Sequence, residues 1–144
     1  MIEVRYLVDN NVLSKLSLAQ RSDRKFRDRC RIPSEVLFEA AGFPDIDQLC
    51  LLEFPVTPRV LEQLRHVMST VSPSDSRLVD LYGNKGNADP LLIATALVGA
   101  QDTAGTLFPE DWQIVTDDRG VRLKAAEFGV HVLSAEEFLA HLAP

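Results

Sequence analysis

The chain has 144 residues, of which 46% are apolar and 25% charged, the composition of a single soluble globular domain able to bury a core. Its net charge of −6 disfavours a dedicated nucleic-acid binder. No apolar run is long enough to cross a bilayer, and MIEVRYLVDNN lacks the basic, apolar and cleavage regions of a signal peptide. The two cysteines, Cys30 and Cys50, have neither metal-ligand spacing nor the density of a disulfide scaffold, so a reducing cytoplasm is the expected setting.

In chain order, Glu3–Asp9 reads as a buried strand whose Val4, Tyr6, Leu7 and Val8 end at DNN. Asn11–Ala19 has helical spacing, with Val12, Leu13, Leu16 and Ala19 on one side. Ser22–Arg29 reads as a charged helix with Phe26 and Cys30 inward. This basic stretch holds Arg21, Arg24, Lys25, Arg27, Arg29 and Arg31 against Asp23 and Asp28, a local balance of +4 that leaves −10 elsewhere. Such a run is either a solvated helix face or a phosphate-contacting edge. Cys30–Ile32 forms a very short strand. A helix follows from Ser34 to near Gly42, a usual residue just past a helix end. Cys50–Phe54 is a further strand candidate.

Thr57–Pro58 opens an amphipathic helix through Val60, Leu61, Leu64, Val67 and Met68. Ser72–Asp75 repeats that signal for a helix through Leu78, Leu81 and Tyr82, and GNKGN is a loop. Pro90–Ala100 is an almost wholly apolar, central helix. Gln113–Thr116 and Val130–Leu133 are strands flanking a helix over Val121–Phe128, and Ser134 with Glu137 caps a last helix. Strands alternating with helices predict one α/β domain over residues 1–144, with a parallel sheet of about five strands and helices on both faces.

Four acids stand at the ends of apolar runs: Asp9, Glu39, Asp89 and Asp118. In an α/β domain, strand C-termini line the edge where ligands bind. Each acid has another reading. Asp9 and Asp89 suit helix N-caps, Asp117 and Asp118 suit a turn, and Glu39 suits an ion pair. Yet Glu39 is flanked by Val36, Leu37, Phe38, Ala40 and Ala41, which predicts that it faces the interior or a cleft, with Glu35 one turn earlier. Gathered carboxylates raise each other's pKa unless a cation neutralises them, and an oxygen-only set suits Mg²⁺ or Mn²⁺. A metal-dependent phosphodiesterase is the chemistry this predicts. His66, His131 and His141 have no zinc spacing, Ser14, Ser34 and Ser134 lack a nucleophile elbow, and no strand is followed by a glycine-rich phosphate loop.

YLVDNNVLSKL, IPSEVLFEAAG, NADPLLIATAL and IVTDDRGVRLKAAEFGVHVLS, in that order, resemble the PIN-domain ribonucleases, including the VapC-like toxins of bacterial toxin–antitoxin pairs. The resemblance covers nearly the whole chain. It places the opening motif on Asp9, Asn11 and Ser14, the second-helix acid on Glu39 through Pro33 and Val36, the third acid on Asp89, and the fourth on Asp118 through Thr116. It implies a PIN-like parallel sheet and an endoribonuclease holding Mg²⁺ or Mn²⁺ on Asp9, Glu39, Asp89 and Asp118, with Asn11, Ser14 and Thr116 orienting them. It further implies an RNA substrate, an antitoxin protein as partner and a homodimer. Arg24, Arg27 and Arg31, at helical spacing, are the candidate RNA-backbone contacts, on a face predicted to flank the carboxylates. The stretch Ser72–Asn87 is longer than in compact members, which bears on the groove or partner surface. Two alternatives stand beside this reading: a catalytically inactive PIN-like module that binds RNA or protein, and a receiver-like or small phosphotransferase domain.

Overall fold

The computed structural model describes residues 2–71 and 89–143, with the backbone alone at Asp89. The expected helix through Leu78 and Tyr82 and the GNKGN loop lie outside the described residues. Strand β1 (Glu3–Val8) is central, with β2 (Cys30–Pro33) and β3 (Glu53–Phe54) on one side and β4 (Glu110–Val115) and β5 (Val132–Leu133) on the other. All pairings are parallel, in the order β3-β2-β1-β4-β5. Consecutive residues on a strand point to opposite faces, yet Leu7 and Val8 on β1 and Ile114 and Val115 on β4 are all fully buried. Both faces of the sheet are therefore covered, which is why these strands read as unbroken apolar runs.

The first half of the chain supplies α1 (Asn10–Leu13), α2 (Leu18–Ser22), α3 (Arg24–Arg29), α4 (Ser34–Glu39) and α5 (Ile46–Cys50). The second supplies α6 (Pro58–Ser69), α7 (Asp89–Thr103), α8 (Arg119–Glu127) and α9 (Ala135–Leu142). Right-handed crossovers put the first set on one face and α6 to α8 on the other. Helix α9 returns to the first face, where Phe138 meets Tyr6 at 5.3 Å and Phe26 of α3 at 6.4 Å. On the second face α7 lies close against β4. A Cβ on Gly99 would come within 2.6 Å of the Trp112 ring, so this approach requires glycine.

Several boundaries differ from expectation for local reasons. The helix expected over Asn11–Ala19 is two pieces, because Ser17 forms a capping box with Gln20 and restarts the chain as α2. The expected strand at Cys50–Phe54 is helix through Cys50 and strand only at Glu53–Phe54, with Leu49 and Leu52 buried three residues apart. A short apolar run carries no periodicity that separates these states. Helix α4 ends at Glu39 rather than near Gly42. Glycines with positive φ instead follow α7, at Gly105 (78°), and α8, at Gly129 (73°). Of the α6 stripe, Val60 and Val67 are fully buried while Leu61 and Met68 are exposed.

Candidate functional site

With this strand order, the connections from β1 and β4 leave in opposite directions and open a crevice at their carboxyl ends. A receiver-like domain has a different order, with the third strand beside the first. The strand order therefore differs from that of a receiver domain, while bearing on no other small phosphotransferase. Asp9 is the residue after β1, and Thr116, Asp117 and Asp118 follow β4.

Asp9 is only 5% exposed. One carboxylate oxygen accepts from the Asn10 N–H at 2.7 Å as the N-cap of α1, and the other accepts from the Thr116 hydroxyl at 2.8 Å. Burial pushes its pKa up. The Thr116 and Asn10 hydrogen bonds oppose the rise, and the charges of Asp118 and Asp117 add to it. No cation among the described residues pairs with it. Thr116 is buried and its bond to Asp9 ties the two strand ends together, while its hydroxyl also accepts from the Asp118 N–H at 3.2 Å.

The neighbours Asp117 and Asp118 differ in their partners. Asp117 is paired with Lys15 through one oxygen and accepts from the Ala135 N–H at 2.9 Å through the other. Lys15 first, then that backbone bond, hold its pKa below the usual carboxylate value. Asp118 caps α8 with Oδ1 alone, accepting from Gly120 at 2.8 Å and Val121 at 3.2 Å. Its Oδ2 has no partner among the described residues. This leaves Asp118, rather than Asp117, available to a ligand.

Glu39, the last residue of α4, is exposed, as is its neighbour Phe38, so the expected interior position does not hold. The apolar flank misled because Phe38 points outward. Even so, partial burial of the carboxyl raises its pKa, with Asp9 and then Glu35 adding to the rise, which places Glu39 within electrostatic reach of Asp9. A buried bidentate pair links the two acid-bearing stretches. Arg21 donates to both oxygens of Asp45 at 2.9 Å, to the Leu13 carbonyl at 3.2 Å and to the Leu16 carbonyl at 2.7 Å. Its guanidinium also lies 4.9 Å from the Phe43 ring centre. The segment after α4 is thereby held against the end of α1.

Asp89 opens α7. The helix ends beside the start of β4, where the Thr103 hydroxyl accepts from the Glu110 N–H at 2.8 Å. Fifteen helical residues span about 22 Å and a six-residue strand about 20 Å. The Asp89 backbone therefore lies level with the carboxyl ends of the strands, the edge that carries Asp9 and Asp118.

The remaining expected groups fare less well. Ser14 donates to the Asn11 carbonyl at 2.9 Å and Asn11 is exposed, so of the three expected orienting residues only Thr116 contacts an acid. Asn10, skipped in the sequence as an intervening residue, has a buried side-chain oxygen with no hydrogen-bond partner among the described residues. Nothing in the sequence marks it except its place beside Asp9. The basic segment is also displaced from the carboxylates. Arg24 pairs with Asp28 at 3.5 Å, Arg27 is exposed, and Arg31 donates to the Arg27 and Cys30 carbonyls. Arg31 lies with Arg5, Glu110 and Trp112 by the amino-terminal halves of β1 and β4, and Arg5 donates to the Asp28 carbonyl at the end of α3. Helix α3 leads directly into β2, whose first residue, Cys30, pairs with Tyr6 in the middle of β1.

The donors Asp9, Asp118 and Glu39 are hard oxygens with no neutralising cation among the described residues, and the Asn10 oxygen, without a partner there, has spare hydrogen-bonding capacity that a hydrated ion would use. Their chemistry fits Mg²⁺ or Mn²⁺. Among the described residues, however, no three His, Cys, Asp or Glu side chains come together as a ready metal-binding group.

No protein-family model matches the chain, and no curated protein matches it by sequence. In three dimensions it is similar to the crystal structure of PAE2754 from Pyrobaculum aerophilum, with a TM-score of 0.54, 19% identity and 98% of each chain covered. The chain thus shares its α/β fold with that protein over nearly their full lengths.

Proposed function

We propose that this protein is a PIN-like, Mg²⁺- or Mn²⁺-dependent endoribonuclease that hydrolyses RNA phosphodiester bonds. The observation that carries this reading is Asp9, a buried carboxylate at the crevice between β1 and β4, within reach of the charges of Asp118 and Asp117 and with no cation partner among the described residues. Asp9, Glu39, Asp89 and Asp118 would hold the metal, which when bound lowers the pKa of water and offsets charge on the scissile phosphate. Thr116 fixes the Asp9 carboxylate through its hydroxyl, and the α8 cap fixes Asp118. The Lys15–Asp117 pair keeps a fifth carboxylate out of the set.

The test is RNA cleavage with Mn²⁺ and with excess chelator. Cleavage that requires the metal and is lost in Asp9→Asn supports the reading, while full cleavage in chelator overturns it. A non-catalytic RNA- or protein-binding module of the same fold is the second reading, favoured by Asp118 already spending one oxygen on its cap. That reading expects RNA binding without cleavage and without a metal requirement. A toxin role would bring an antitoxin that blocks cleavage, a homodimer and a cytoplasmic location. No helix among the described residues is long and apolar enough to cross a membrane.

A further inference from the structure

The basic run of the sequence does not serve the carboxylate edge, yet two of its members converge elsewhere. Lys25 and Arg29, one turn apart on α3, line a cleft of about 250 Å³ between α3 and α9, with Tyr6, Cys30, Phe138 and His141 around it. Among the described residues no carboxylate lines this cleft, in a chain whose net charge is −6. The nearby acids are engaged: Asp28 with Arg24, Asp23 in capping α3 through the Lys25 N–H, and Asp111 with Gln113. Among the described residues neither Lys25 nor Arg29 has an ion-pair partner. Like charges one helical turn apart destabilise a helix, and an anion between them would reverse that effect.

The rest of the lining suits an anion. The Tyr6 hydroxyl has no partner among the described residues, and burial raises its pKa, so it remains a donor at neutral pH. Cys30 is buried at the floor, and burial pushes its thiol far up, so no thiolate repels an incoming negative charge. Edge-to-face packing of Tyr6 on Phe138 fixes the phenol, and the His141 ring lies 6.4 Å from Tyr6. Arg29 offers the planar fork that matches phosphate oxygens, and Lys25 a mobile point charge.

We propose that the α3–α9 cleft binds the phosphate group of a phosphate monoester, using Lys25, Arg29, the Tyr6 hydroxyl and His141. Two cations and two further polar groups suit a dianion, and the volume lies below the usual range of organic-ligand pockets. The source is either a small sugar phosphate or the 5′-phosphate end of an RNA.

The test uses chelator throughout and constant ionic strength. Inorganic phosphate and ribose 5-phosphate are titrated against chloride, following the Tyr6 and His141 ring signals by NMR. Saturable shifts are expected, with affinity reduced at least tenfold in Lys25→Ala/Arg29→Ala and several-fold in Tyr6→Phe. Shifts equal to those from chloride, or unchanged affinity in the double variant, overturn the proposal. A 5′-phosphorylated oligoribonucleotide binding more tightly than its 5′-hydroxyl twin, with the difference lost in the double variant, identifies RNA ends as the source. Equal binding of the twins with retained ribose 5-phosphate binding identifies the small molecule. Neither result depends on nuclease activity, so failure of one proposal leaves the other standing.

Discussion

The two ends of the central strands treat charge in opposite ways. At the amino end, Arg5 pairs with Glu3 at 3.3 Å and Glu110 at 3.0 Å, Glu110 also accepts from Trp112, and Arg59 pairs with Asp102. At the carboxyl end no cation among the described residues pairs with Asp9, the charge of Asp9 adds to the raised pKa of Glu39, and Asp118 keeps one oxygen without a partner among the described residues. The acids at the first edge are settled within the fold. Those at the second hold unspent charge that an external ligand can meet.

The largest expected effect breaks this asymmetry at its centre. Asp9→Asn and Asp118→Asn should reduce metal-dependent cleavage to background while the protein stays folded, because asparagine still caps a helix. Asp117→Asn should keep most activity, since Lys15 and Ala135 already occupy that carboxylate. Cleavage rates alongside thermal melts check all three, and loss in Asp117→Asn with retention in Asp118→Asn would reassign the site. Next, Arg21→Met should destabilise the fold by about 3–5 kcal/mol, the usual result of stranding one member of a buried pair. Here the stranded group is Asp45, whose side chain is 9% exposed. Denaturant unfolding of Arg21→Met beside Arg21→Lys measures it.

A third prediction concerns pH. The folded-state pKa values of Asp9 and Glu39 lie above their ordinary 3.8 and 4.5, so the folded protein holds more protons than the unfolded chain in that window. Their contribution is full below those values and is lost as pH rises through the raised ones. Asp45 and Asp117, both depressed, act in reverse: their contribution is present above 3.8 and lost as pH falls through their lowered values. Metal-free Asp9→Asn should therefore lose less stability than the parent as pH rises from the acid range toward neutrality. Denaturant melts at stepped pH, with an unchanged slope as the contrary outcome, decide it. The smallest effect belongs to Lys15→Ala, an exposed pair worth up to about 1 kcal/mol. Its informative readout is the Asp117 carboxyl titration, which should move upward.

The sheet was legible because both faces of β1 and β4 are buried, leaving the unbroken runs YLV and IV in the sequence. The strand-end place of Asp9 was legible because it directly follows the first run, whereas Asp118 stands three residues after the second and was singled out through Thr116. Of the two settings expected for Glu39, the interior does not hold, since neighbouring apolar letters do not reveal that Phe38 points outward, while its carboxyl lies within electrostatic reach of Asp9. Arg24, Arg27 and Arg31 meet a different limit. Helical spacing fixes which residues share a face, but not which edge of the sheet that face meets, and the entry of α3 into β2 decides the latter. The Arg21–Asp45 link spans 24 residues and has no periodic signature.

Trp112 is the chain's one tryptophan, and it is buried where α7 presses Gly99 against its ring, with Phe54 edge-on at 5.2 Å. The protein therefore carries a single intrinsic fluorophore at the seam between α7 and the sheet. Any ligand that shifts α7 from its Asp89 end changes the packing around that indole. Emission from the unlabelled protein can then report, in real time, whether the helix has moved.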